Sequence, residues 1–204
     1  MEGQVQPLKY KSLNGLTEKQ LAEHHDVLYA GYVKKTGEIR EKLKSVDLTS
    51  ANATFSDLRE LKVEESFAVN GVRLHEDYFA CMGGPGGKPS GYLLKMIEED
   101  FGSYEKWEAE FKALGLASRG WVVLAFDWKD LRLHNYIADV HNHGGIWDCS
   151  TIVVLDVYEH AYFLDYGTQK KKYVDVFMQN LDWKAPAGIV EHLHIPEIRQ
   201  REMH

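Results

Sequence analysis

The segment Asp156-Val157-Tyr158-Glu159-His160 follows directly on the apolar run Thr151–Leu155. A buried strand that ends in a carboxylate and an imidazole four residues apart can hold two metal ligands at a fixed height. The Asp supplies one negative charge to offset a cation. On its own the pair reads equally as a strand-end Asp cap beside a satisfied histidine. Two further histidines stand in helical contexts. In Val72-Arg73-Leu74-His75-Glu76-Asp77-Tyr78-Phe79, the residues His75, Tyr78 and Phe79 share one helix face at i, i+3 and i+4. His24 lies in Glu23-His24-His25-Asp26-Val27-Leu28-Tyr29, with Tyr32 two turns on and roughly 80° around a 3.6-residue helix. Aromatic rings around a histidine make the dry, shaped cavity a metal site uses. A histidine on an apolar helix face is just as readily an ordinary core residue.

The elements that must position these residues fall into an α-helical half and an α+β half. Thr17-Glu18-Lys19-Gln20 has capping-box form and opens a helix from Leu21 to about Leu43. A second helix begins near Phe55 and places Leu58, Leu61, Phe67, Val72, His75 and Phe79 at three- and four-residue steps. Gly83-Gly84-Pro85-Gly86-Gly87 stops it and is the candidate hinge, dividing the chain into a helical-hairpin domain over 1–86 and an α+β domain over 87–204. Helices over Gly91–Asp100 and Ser103–Leu114 are followed by β-rich runs, Trp121–Phe126, Leu131–Ile137 and Ile152–Leu155. They predict a small three-stranded antiparallel sheet with Asp127–Asp130 as a hairpin turn. A helix near Lys171–Asn180 and a polar tail carrying His192, His194 and His204 on its surface complete the reading.

Composition narrows the functional classes. The 204 residues are 44% hydrophobic and 27% charged, ordinary for a globular protein, and no run approaches a bilayer span. The net charge of −7 argues against general nucleic-acid binding and would repel an anionic substrate, so attraction needs a local basic cluster. Cys81 and Cys149 make no metal-type pair and read as free thiols; with no basic and apolar leader at the start, a cytoplasmic protein is expected.

Taken together these pieces resemble the iron/manganese superoxide dismutases over nearly the whole chain. The resemblance rests on His24 followed eight residues later by Tyr32-Val33, on His75 with Tyr78-Phe79, and on Gly120-Trp121 opening the first strand. Its most specific part is Asp156-Val157-Tyr158-Glu159-His160-Ala161-Tyr162, which fits the family signature Asp-x-aromatic-Glu-His-Ala-Tyr. It implies one manganese or iron ion per subunit between the two halves, bound by His24, His75, Asp156, His160 and a solvent molecule. It implies an enzyme that converts superoxide to O2 and H2O2 by alternately reducing and oxidising that ion. Tyr32 corresponds to the tyrosine at the mouth of the substrate funnel, and Trp121, Phe79 and Tyr158 to the cavity wall. Glu159 corresponds to the glutamate that crosses a two-fold interface to the partner's copy of the histidine ligand, so a homodimer, or a tetramer built from it, is expected.

The chain departs from the family around the metal. Phe79 and Tyr158 stand where Trp is usual. The Gln normally set against the bound solvent is missing, since Gly71 occupies one of its two positions and no Gln occupies the other. His141, fifteen residues before Asp156, has the spacing to replace it, with His143 as the alternative. Such a His could donate to the solvent and accept from Tyr32, and it could protonate where a Gln cannot. A His on that side leans towards manganese. Leu28 and Phe163 stand at the positions of a family His–Tyr bridge across the interface, so that contact would be apolar. Lys34, Lys35 and Lys170–Lys172 are available for steering, although a solvated face explains most of them. Two other readings compete: an iron oxygenase using two His and one carboxylate, which would leave a matched ligand idle, and a non-enzymatic relative, which would have lost ligands.

Overall fold

The computed structural model describes residues 3–202. Thr17 accepts the Gln20 N–H on its hydroxyl and starts α1, Glu18–Ala22. The chain runs without a break through a π-helical stretch, Glu23–Tyr29, into α2, Ala30–Leu43. The long helix expected here is thus wound differently around His24, and 3.6-residue angles do not carry from His24 to Tyr32. Ser56 caps α3, Asp57–Ala80, through its hydroxyl, leaving Phe55 outside the helix and exposed. Helices α2 and α3 pack against each other and form most of the first half.

The glycine segment expected as a hinge is tied to the second half. The N–H groups of Gly83 and Gly84 donate to the Asn180 carbonyl at 2.9 and 3.1 Å, and that of Gly86 to Leu181 at 3.0 Å. A Cβ on Gly84 would lie 2.4 Å from the Leu181 carbonyl oxygen, so only glycine allows this approach.

Helices α4, Gly91–Phe101, and α5, Tyr104–Ala117, lead into the sheet. It contains β1, Trp121–Asp127, β2, Arg132–Ala138, and β3, Cys149–Asp156, in the antiparallel order β2-β1-β3. Central β1 is covered on both faces, and so its sequence is a continuous apolar run with no alternation. Ile152 is an extra residue in β3, because Leu124 pairs with Val153 and Ala125 with Thr151. A single 3-10 turn, Glu159–Ala161, and the short α6, Phe163–Tyr166, precede α7, Lys170–Gln179.

The stretch read from the sequence as a polar tail is helical. It forms α8, Lys184–His192, and α9, Ile195–Glu202, which bury Val190, Ile195 and Arg199. The Arg199 guanidinium forms two 3.0 Å bonds to the Asp100 carboxylate on α4. A stripe of Pro186, Ile189, Val190 and Leu193 packs inward. His192 and His194 are exposed as expected, and His204 lies outside the described residues. Both cysteines are free thiols, and no helix among the described residues is long and apolar enough to cross a membrane.

Candidate metal centre

Four elements bring four side chains to one point: the π stretch carries His24, α3 carries His75, the end of β3 carries Asp156, and the 3-10 turn carries His160. One ligand-capable atom from each lies within 4.8 Å of all the others. The Nε2 atoms of His24 and His160 stand 3.1 Å from Asp156 Oδ2, and that of His75 stands 3.4 Å from it. His75 Nδ1 donates to the Gly71 carbonyl at 2.6 Å, so its ring proton is on Nδ1. Nε2 therefore turns a lone pair towards a carboxylate oxygen. Two acceptors facing each other in a dry pocket repel, and a cation between them removes the repulsion. His75 Nε2 has no hydrogen-bond partner, and neither does His24 Nδ1.

Three of the four groups are shifted towards the protonation state that binds metal. Burial pushes His24 below its ordinary value and His75 down to about 3, so both rings are neutral. Burial opposes ionisation of Asp156, but the His160 and His24 imidazoles outweigh it and hold the carboxyl well below the usual range. Burial would lower His160, yet the Asp156 charge raises it. The neutral His24 and His75 rings and the ionised Asp156 carboxylate are the forms that bind metal. A bound cation would take the place of the proton that Asp156 favours on His160, and N/O donors without thiolate suit iron or manganese.

Neighbouring groups hold these side chains in place. The Tyr158 N–H donates to Asp156 Oδ1 at 2.9 Å. Buried Gln20 donates its amide to the His160 carbonyl at 2.6 Å and accepts the Leu164 N–H at 3.1 Å. Read from the sequence as half of a capping box, Gln20 is drawn away because Asp165 takes the Thr17 N–H instead. Sequence reasoning missed this role, and nothing local to Gln20 signals it.

The Phe79 ring lies 4.9 Å from His24, Trp121 meets His75 at 5.0 Å, and Tyr158 stacks on His160 at 5.1 Å. Tyr32 faces His75 at 5.5 Å and His141 at 4.8 Å. A Cβ on Gly71 would come within 3.1 Å of the Tyr32 ring, so this ring fills the space a side chain at position 71 would enter. Phe67 lies 4.4 Å from His141 and lines the same side. Sequence reading placed Phe67 on the helix but not at the site, although it stands two turns before His75.

His141 is buried beside the cluster, whereas His143 is exposed. The Trp121 indole N–H donates to His141 Nδ1 at 3.0 Å. Burial lowers His141 to about 4, so the neutral ring carries its proton on Nε2. Its accepting nitrogen is committed to Trp121, which removes the expected acceptance from Tyr32. Glu159 is exposed, and His160 keeps 24% of its side chain accessible. Exposed Val27, Phe163 and Leu164 and half-buried Leu28 belong to the same segments. Lys34 and Lys35 pair with Glu38, Lys170 donates to the Ser118 carbonyl, and Lys171 and Lys172 are exposed.

Comparison with known proteins agrees with this geometry. Residues 89–187 match the family described as iron/manganese superoxide dismutases, C-terminal domain. A protein of Aquifex aeolicus named superoxide dismutase [Fe] is 42% identical over 88% of this chain and 87% of its own length. One of Cupriavidus metallidurans with the same name is 42% identical over 86% of this chain and 88% of its own. A superoxide dismutase [Mn] 1 of Halobacterium salinarum is 37% identical over 88% and 90%. The chain belongs to the iron/manganese superoxide dismutase family.

Proposed function

We propose that this chain is a superoxide dismutase whose iron or manganese ion is held by His24, His75, Asp156 and His160, between the halves 1–86 and 87–204. The observation that carries the reading is the convergence of three imidazole Nε2 atoms on Asp156 Oδ2, one of them bearing an unshared lone pair. When bound, the ion would supply the one-electron exchange by which one superoxide becomes O2 and a second, with two protons, becomes H2O2. Trp121, Phe79 and Tyr158 exclude water from the ligands and set the shape of the cavity. His141, its proton held on Nε2 by the Trp121 bond, donates a hydrogen bond to solvent in the cavity. Tyr32 stands at the mouth, where its hydroxyl passes protons inward.

Glu159 would reach the His160 of a second copy, and the accessible part of His160 beside the exposed Phe163 and Leu164 supports that two-fold contact. The two unpaired cysteines support a cytoplasmic location. A histidine reaching in from the sheet side favours manganese; assays of separately manganese- and iron-loaded protein decide the metal. The function is tested by metal analysis with a superoxide-decay assay on wild type and His160→Ala. Wild type should hold metal and remove superoxide, and the variant should lose both. Metal-loaded wild type that leaves superoxide decay unchanged would overturn the reading.

A further inference from the structure

Strand β3 lies at the edge of the sheet, so one row of its carbonyls lacks a ladder partner and side chains must satisfy it. The Cys81 thiol points to the Ile152 carbonyl at 3.8 Å. Four residues on, the Tyr173 hydroxyl of α7 donates to the Asp156 carbonyl at 2.6 Å. A carbonyl only accepts, so the single Tyr173 proton is committed there. The Tyr173 oxygen then receives the proton of Tyr78, whose hydroxyl lies 3.0 Å away. Tyr78, Tyr173 and Asp156 all have zero exposure. Their rings are clamped: Tyr78 stacks on Phe177 at 5.9 Å and Tyr173 on Tyr162 at 4.8 Å. Tyr78 also stands 5.1 Å from the His24 ring. A directed chain, Tyr78 to Tyr173 to Asp156, thus links α3, α7 and β3 behind the four converging side chains.

We propose that Tyr173, backed by Tyr78, is a positioning residue for the metal, fixing the backbone of Asp156 and so the angle at which Oδ2 meets the ion. This inference rests on Asp156 being a metal ligand. Asp156 is then held twice: its Oδ1 by the Tyr158 N–H and its carbonyl by Tyr173. Such outer partners of a ligand change metal affinity by about 10- to 100-fold when removed.

The test compares Tyr173→Phe and Tyr78→Phe with Tyr104→Phe, which deletes a hydroxyl bonded to the Gly87 carbonyl at 2.9 Å, away from the four side chains. Three quantities are read on protein loaded with iron: thermal stability, the rate of metal loss to a chelator, and the ligand-field absorption. Tyr173→Phe should lose metal about tenfold faster or more and shift the absorption. Tyr78→Phe should move both in the same direction by less. Tyr104→Phe should lower stability and leave both unchanged. Wild-type metal loss and absorption in Tyr173→Phe, with only stability reduced, would overturn the inference. If Tyr173→Phe does not fold, Tyr78→Phe decides on the same two readouts. Wild type that retains no metal would defeat the metal-site reading itself, and this inference with it.

Discussion

Helix α9 is held to the body of the protein by buried Ile195 and by the ion pair of Arg199 with Asp100, and removal of the buried pair has a calculable effect. In Arg199→Met the Asp100 carboxylate, 1% exposed, loses two 3.0 Å bonds and keeps only the Leu133 N–H at 2.8 Å and Arg132 at 3.9 Å. Breaking a buried pair from one side costs about 3–5 kcal/mol, because the remaining charge stays desolvated. Half-exposed Arg132 can move in, and this puts the expected loss at the lower end, about 3 kcal/mol. For a chain of this length that is roughly 6–12 °C in Tm. Urea unfolding followed by circular dichroism would read it as a lower midpoint at unchanged m-value. Adding Asp100→Leu should recover part of the loss, since the stranded charge is gone and only the Leu133 N–H is left unpaired. A single variant within about 1 kcal/mol of wild type would refute the argument, because the pair would then be acting as a surface ion pair.

Three other outcomes follow from the site and the thiols. His141→Leu leaves the buried Trp121 N–H without an acceptor and should cost about 1–3 kcal/mol, with superoxide removal falling at least tenfold; His141→Gln, which can both accept from Trp121 and donate into the cavity, should restore most of each, as measured by urea melts and decay assays. Chelation should lower Tm by roughly 8–16 °C relative to protein in metal at a thousandfold its Kd, and scanning calorimetry of the two forms checks this. Burial raises Cys149 to about 11. At pH 8 the native thiol should therefore alkylate about 200-fold more slowly than a free cysteine, with the rate climbing about tenfold per pH unit towards 11; an unfolded-like rate at pH 8 would contradict it.

Much of the chemistry was legible in the sequence, because ligand types and spacings are local properties. Asp156 and His160 sit four residues apart at a strand end, and His75 shares a helix face with Tyr78 and Phe79; each pattern survives folding almost unchanged. The order of helices and strands was equally readable, since apolar period and Gly-rich breaks are written along the chain. Where the reading went astray, a contact distant in sequence decided the outcome. Gln20 looks like a cap until Asp165, brought in from α6, takes its place and frees it for His160. The tail looks polar until Asp100 gives Arg199 a buried partner. The 3.6-residue angle from His24 to Tyr32 fails because the helix is π-wound across His24. His141 can accept from Tyr32 on paper, but Trp121 occupies its accepting nitrogen. The sequence alone determined which groups could bind a metal, through side-chain type and local period. Only the tertiary structure decided which hydrogen bonds each of those groups has left to give, because a donor or acceptor can be claimed by any residue that folding brings within 3 Å.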